Sequence, residues 1–182
     1  MSRMILTLLF VTLALGGDAA SAQVQVSSRP GAQEGQGISR RKLSGPRFGF
    51  TVFTGDVADQ RQQAGLEPIM TQFGWQWETQ LRSMDTGSQA LMEWVVLVGG
   101  MEQDEFNLSL GWLAGYRLES GLEFGVGPNL SYSRDSGETT SSMLFAAGAT
   151  LPFGQMYIPI NFVVSVAEGG PRITALIGWI VG

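Results

Sequence analysis

Four charged residues fall in the polar phase of segments that otherwise alternate with large apolar side chains: Glu78, Glu93, Glu123 and Arg117. Paired carboxylates are ordinary equipment for general acid–base catalysis. At period two, however, a shared phase places such residues on one face of a sheet, and a guanidinium in that phase offers them a partner. A charge turned away from bulk water must be paired or wetted. The three glutamates and Arg117 are therefore expected to form an ion-pair network inside the fold, a structural plug rather than a catalytic pair. Arg117 is the only cation this reading places inside the strands.

No other constellation points to chemistry. The chain has no histidine and no cysteine, which excludes a Ser-His-Asp triad, thiolate nucleophiles and Cys/His zinc sites. Gly125-Val126-Gly127 lies within a strand pattern with no helix after it, so it is not a nucleotide-binding turn. Glu102, Asp104 and Glu105 read as a solvated loop rather than a calcium site. A net charge of −5 and a single basic cluster, Arg40-Arg41-Lys42, argue against nucleic acid as a partner. The expectation is a protein that is not an enzyme and has no cofactor and no metal. Trp75, Trp77, Trp94, Trp112 and Trp179 admit a ligand-cage reading, but membrane-interface aromatics are the expected role.

The elements that must position these residues begin after an export signal. Arg3 supplies a positive start, Ile5 to Leu15 an apolar run, and Ala20-Ser21-Ala22 a small-x-small cleavage pattern, so residues 1–22 read as a cleavable signal peptide. The run is shorter than the roughly 20 apolar residues of a spanning helix. Residues 23–44 are rich in Gly, Gln, Ser and Arg and read as a flexible linker.

From residue 45 to 182 the chain turns to period-two alternation, with eight segments. The first, Arg47 to Thr54, sets Phe48, Phe50 and Val52 on one face. In Gln72 to Leu81, Phe73, Trp75, Trp77, Thr79 and Leu81 oppose Gln72, Gly74, Gln76, Glu78 and Gln80. Ala90 to Val98 sets Met92, Trp94, Val96 and Val98 opposite Glu93. Phe106 to Arg117 and Leu122 to Ser133 alternate in the same way, with Asn107, Ser109, Gly111, Gly115 and Arg117, then Glu123, Gly125, Gly127, Asn129 and Ser131, on their polar faces. Ser142 to Leu151, Met156 to Val166 and Arg172 to Val181 complete the set. In the last, Ile173, Ala175, Ile177, Trp179 and Val181 form the expected outer face.

The polar face decides which way the sheet curls. Charged residues are only 15% of the chain against a usual share of about 25%, and the polar face is mostly Gly, Ser, Asn and Gln. Small residues suit the narrow interior of an eight-stranded barrel, whereas the Trp and Phe side chains suit an unconfined outer wall facing lipid. A periplasmic N-terminus predicts short connections after the second, fourth and sixth segments and longer ones after the others; 118–121 and 152–155 are short, Arg82 to Gln89 is longer than that pattern asks, and Gly55–Thr71 is the longest. Asp56 to Glu67 is compatible with a short helix in that loop. Pro128 and Pro159 lie within strands, where they predict bulges or breaks.

The stretches Gly45-Pro46-Arg47-Phe48-Gly49-Phe50, Gln72-Phe73-Gly74-Trp75-Gln76-Trp77-Glu78, Gly125-Val126-Gly127-Pro128-Asn129-Leu130 and Ile158-Pro159-Ile160-Asn161 give residues 45–182 a resemblance to the small outer-membrane β-barrel proteins of the OmpA/OmpX/OmpW-like type. That resemblance implies an all-β, eight-stranded antiparallel up-and-down transmembrane β-barrel located in the outer membrane. Its partners would be membrane lipid and the outer-membrane assembly machinery. Such barrels usually end on an aromatic residue; here the sequence closes Trp179-Ile180-Val181-Gly182, so recognition would have to tolerate a shifted aromatic. Members that act on lipids use a histidine, which is absent here. A non-enzymatic structural or surface-interaction role is expected. The alternatives are a narrow pore for small solutes and a soluble periplasmic lipocalin-like lipid carrier.

Overall fold

An open sheet leaves unpaired backbone at its edges, and closing the sheet removes them. Among the described residues, each of the eight long strands has two neighbours. The computed structural model describes residues 42–83 and 87–181. The signal peptide and residues 23–41 of the expected linker lie outside the described residues. The strands are β1 (Gly45–Phe53), β2 (Ile69–Ser83), β3 (Gln89–Gly99), β4 (Asn107–Arg117), β5 (Leu122–Ser133), β6 (Thr139–Phe153), β7 (Met156–Val166) and β8 (Arg172–Gly178), with the two-residue β9 (Ile180–Val181) continuing the eighth stave. All pairings are antiparallel between chain neighbours. β8 returns to β1, so the eight staves form a closed up-and-down barrel.

The alternation does what the sequence predicts. Phe124, Val126 and Leu130 point outward while Glu123, Asn129 and Ser131 between them are buried. Phe48 and Phe50, Trp75 and Trp77, and Ile173 and Ile177 are likewise exposed on the outer wall.

The two ends of the barrel differ. At the turn end, β4 and β5 are joined by residues 118–121, and β6 and β7 by Gly154 and Gln155 alone. Gly154 takes the positive φ (62°) that a two-residue hairpin demands. At the opposite, loop end lie residues 54–68, 100–106, 134–138 and 167–171. The longest of these carries a short helix, α1 (Asp56–Gln63), with Asp56 and Asp59 in its first turn and Arg61 in its last, as the helix dipole favours. None of its residues is buried. It is held by the Val57 amide, which donates to the Gly169 carbonyl at 3.1 Å, and by an ion pair from Arg61 to Glu105 at 2.7 Å.

The prolines neither bulge nor end their strands; each interrupts one ladder. The β4–β5 pairing skips the positions opposite Pro128 and Gly127 and resumes at Ala114–Val126 in the same register. The β7–β8 pairing stops at Ile160–Ile177 and resumes as β7–β9 at Tyr157–Ile180, leaving Pro159 in the gap, again without a shift. Proline lacks the amide proton for those rungs. The one register shift described lies between β2 and β3, at Gln80/Arg82. Leu43 and Ser44, which composition assigned to the linker, belong to the barrel: Leu43 is fully buried, and the Ser44 hydroxyl accepts a hydrogen bond from the Glu78 amide at 2.8 Å. Leu43 is a large aliphatic side chain next to the first strand, so it gains by burial.

Candidate functional site in the barrel lumen

The inward residues sort along the barrel axis into a charged cluster near the turn end, an apolar middle and a hydroxyl-lined mouth. Arg117 on β4 anchors the first. Its terminal nitrogens both donate to the Glu78 carboxylate on β2, Nη1 to Oε1 at 3.0 Å, and its Nε lies 3.0 Å from Glu123 Oε1 on β5. Glu123 in turn accepts from the Thr150 hydroxyl of β6 at 2.8 Å. Arg117 is 0% exposed at its side chain, so this bidentate pairing takes place out of water.

Arg117 is not the only interior cation. Arg47 of β1 is 1% exposed. Its Nε donates to Gln76 Oε1 at 3.0 Å, and Gln76 Nε2 donates to Glu93 Oε1 at 2.8 Å, so a neutral amide relays between guanidinium and carboxylate. Arg47 also donates to the carbonyls of Leu43, Gly45 and Pro46, which draws the chain before β1 over the turn end. The predicted network thus brings Glu78, Glu123 and Arg117 into direct contact. Glu93 is linked instead, through Gln76, to Arg47. Sequence reasoning missed Arg47, although its phase, opposite to Phe48 and Phe50, was the available signal.

Above this cluster the lumen is not built of small residues alone. Leu97, Leu113, Leu144, Val163 and Leu176 point inward and line a cavity of about 80 Å³ whose floor is Gln76 and Glu93. A train of hydroxyl and amide groups runs round one side of its wall: Ser109 donates to Asn129 at 2.8 Å, Asn129 donates to Ser131 at 2.9 Å, and Ser165 donates to Ser142 at 2.8 Å. On the facing side Thr51 and Thr174 are hydrogen-bonded at 2.6 Å.

The cavity opens into a wider mouth of about 570 Å³ at the loop end. Phe53, Asn107, Ser131 and Arg172 line both spaces and form the neck between them. Two guanidinium groups lie over the Phe53 ring, Arg61 at 4.3 Å and Arg172 at 5.4 Å from its centre, a cation–π arrangement. Arg61 is neutralised by Glu105. Arg172 has no ion pair among the described residues, and its buried Nε has no hydrogen-bond partner.

The tryptophans all face outward. Trp77, Trp94 and Trp112 are ladder partners on adjacent strands, and the Trp94 and Trp112 rings lie 6.4 Å apart. Trp75 stands 6.5 Å from Trp77 on the same strand, and Trp179 sits apart near the turn end. The first four form a patch on one side of the barrel, with Trp94 and Trp112 midway along their strands, rather than rings at two levels.

No group of carboxylates able to hold a metal ion occurs among the described residues. Glu102, Asp104 and Glu105 do not converge. Glu102 accepts from the Thr71 hydroxyl and amide, Glu105 pairs with Arg61, and Asp104 turns through a left-handed conformation (φ 58°). Comparison with known proteins finds no matching family, no similar curated protein and no similar solved structure.

Proposed function

We propose that this protein is an integral outer-membrane barrel without enzymatic activity, which acts as a structural element or presents its loop end to partners outside the cell. One observation carries the reading: the distribution of polarity across the wall is inverted relative to a water-soluble barrel. Large side chains such as Phe48, Phe73, Trp77, Phe124, Phe145 and Phe162 are about half exposed on the outside, while Arg47, Arg117, Glu78 and Glu123 are buried within. Monomeric soluble proteins rarely expose contiguous apolar surface beyond a few hundred Å². An apolar band around a polar interior is the arrangement lipid requires. Strand length fits as well, since β3, β4 and β7 have 11 residues each and β2 and β6 have 15, and a tilted strand crosses a bilayer in about 9–11.

The filled turn end favours a plugged lumen over a conducting pore, because Arg47, Arg117, Glu78 and Leu43 occupy the axis there in full burial. The outward Trp and Phe side chains weigh against a soluble lipid carrier. The test is fractionation of expressing cells followed by electrophoresis of heated and unheated membranes. A heat-modifiable band in the outer membrane is the expected result; recovery in the soluble periplasm would overturn the reading.

A further inference from the structure

Arg172 poses a specific question. A guanidinium at the neck of a half-apolar cavity, without an ion-pair partner and with a buried Nε–H unmatched, is a costly arrangement. Two acceptors in the same cavity are also unmatched: Oε1 of Gln72, a side chain 7% exposed, and Oδ1 of Asn161. Below Arg172 and Gln72 the wall carries Leu97, Leu144, Val163 and Leu176, and Asn161 lies deeper, beside the charge cluster that closes the floor. The space is open at one end only. Its groups are ordered as a small amphiphile would meet them on entering: hydroxyls, one cation, then leucines and a valine.

We infer that the lumen is a dead-end pocket for a short-chain monocarboxylate, whose head is held by Arg172 and whose tail lies among Leu97, Leu113, Leu144, Val163 and Leu176. The charge follows from the partners. One free guanidinium neutralises one negative charge, and a planar carboxylate matches its fork of donors. Glu138 and Glu168 line the mouth outside the neck, and together with the unmatched Gln72 oxygen they disfavour a dianion such as a phosphate monoester. A protonated carboxyl or a hydroxyl at the head would donate to the Gln72 oxygen. Tail length follows from volume. A dry cavity of about 150 Å³ accommodates the six carbons of benzene, so the 80 Å³ here takes about three carbons, the tail of butanoate. The Ser131 hydroxyl and the Asn107 amide share the neck with Arg172 and are placed to complete the head's hydrogen bonds.

This inference does not rest on the outer-membrane reading, because the pocket lies inside the barrel whatever surrounds it. The experiment is a chemical-shift titration of the full chain, isotopically labelled, in phosphatidylcholine nanodiscs or in buffer if it fractionates as soluble. The probes are butanoate, butan-1-ol and butylammonium. Butanoate should shift the amides of Arg172, Leu144 and Val163 saturably, and the alcohol and the amine should bind at least about tenfold more weakly. Arg172→Gln should abolish the preference for butanoate over butan-1-ol. Ala146→Leu leaves the cation in place and fills the tail space, since Ala146 lines the cavity; it should weaken butanoate at least about tenfold while leaving acetate unchanged. The Ala146 variant and the ligand series decide the matter even if the Arg172 variant fails to fold. Equal binding of butanoate and butan-1-ol, absence of saturable lumen shifts, or a preference for butylammonium, which would mark Glu93 as the anchor, would each overturn the proposal.

Discussion

Arg117 on β4 grips both carboxylate oxygens of Glu78 on β2, two strands away across the lumen, while its Nε faces its ladder partner Glu123 on β5. One guanidinium thereby ties β2 to the β4–β5 pair, with which β2 shares no backbone ladder. Arg117→Met removes the cation and leaves two carboxylates buried without it, so the folded barrel should lose about 3–5 kcal/mol. The reading is the urea midpoint of the barrel refolded in vesicles, at unchanged slope. Replacing Glu78 and Glu123 by leucine in the same chain should recover most of the loss. An unaltered midpoint in the single variant would show that the cluster fills space without holding the staves.

A second prediction concerns close approach of strands. A Cβ at Gly127 would stand 1.9 Å from the backbone oxygen of Trp112, whereas the nearest atom to one at Gly125 would be the end of the Leu113 side chain, at 3.3 Å. The first neighbour is strand backbone and cannot yield; the second rotates. Gly127→Ala should therefore cost at least about 1–3 kcal/mol, the usual range for overpacking, and lower the yield of heat-modifiable barrel, while Gly125→Ala should cost less than about 1 kcal/mol. Equal stability of the two variants would mean that β4 and β5 separate freely at Pro128.

What the sequence made legible was the phase of each strand, because large apolar residues alternating with small polar ones leave a period-two signal that packing need not rescue. Phe124 against Glu123 and Trp77 against Glu78 are read without knowing any partner. What it hid depends on register and on the barrel's curvature. The Arg117–Glu78 contact skips β3 altogether, and the Arg47–Gln76–Glu93 relay joins β1 to β3 through a neutral amide. No spacing in a single chain encodes either. β3 obscured the apolar lumen for another reason: Leu91, Val95 and Leu97 on its inner face are as apolar as Met92, Trp94 and Val96 on its outer face, so alternation carries little signal there. Arg172 opens β8 in inward phase, but nothing local distinguishes a strand-initial cation in a neck from one in solvent.

The loop end contains an acid-sensitive contact. Partial burial pushes the Glu102 carboxyl upward, but hydrogen bonds from the Thr71 hydroxyl and amide, each 2.6 Å, outweigh it and hold the group below its ordinary value of 4.5. A folded-state value below the unfolded one means the contact contributes in full above the unfolded value and is lost as pH falls through the folded one. Amide exchange at Thr71, normalised to the intrinsic rate, should therefore accelerate relative to Gln72 as the medium is acidified below 4.5, with the rest of β2 unchanged. Glu102→Gln should remove the acid step and leave Thr71 less protected at neutral pH. Persistence of the step in that variant would assign it to another carboxyl.

The outer wall offers a test of its solvent by depth. Val126 and Leu122 both point outward from β5 and are 42% and 44% exposed, but Val126 lies near the middle of the strand and Leu122 opens it at the turn end. In water the two positions are equivalent, and an arginine at either would change stability by less than about 0.5 kcal/mol. In a bilayer they differ: arginine near the midplane costs about 2–4 kcal/mol and near the interface about 0–1. The two substitutions leave the inward face, the charge cluster and the neck untouched, so a difference between them measures the medium outside the barrel and nothing within it. Unfolding of Val126→Arg and Leu122→Arg in lipid vesicles should give a deficit for the first that exceeds the second by at least about 1–2 kcal/mol. A common, small cost at both depths would mean that the apolar wall faces something other than lipid, and the exposed Trp and Phe side chains would then need a protein to cover them.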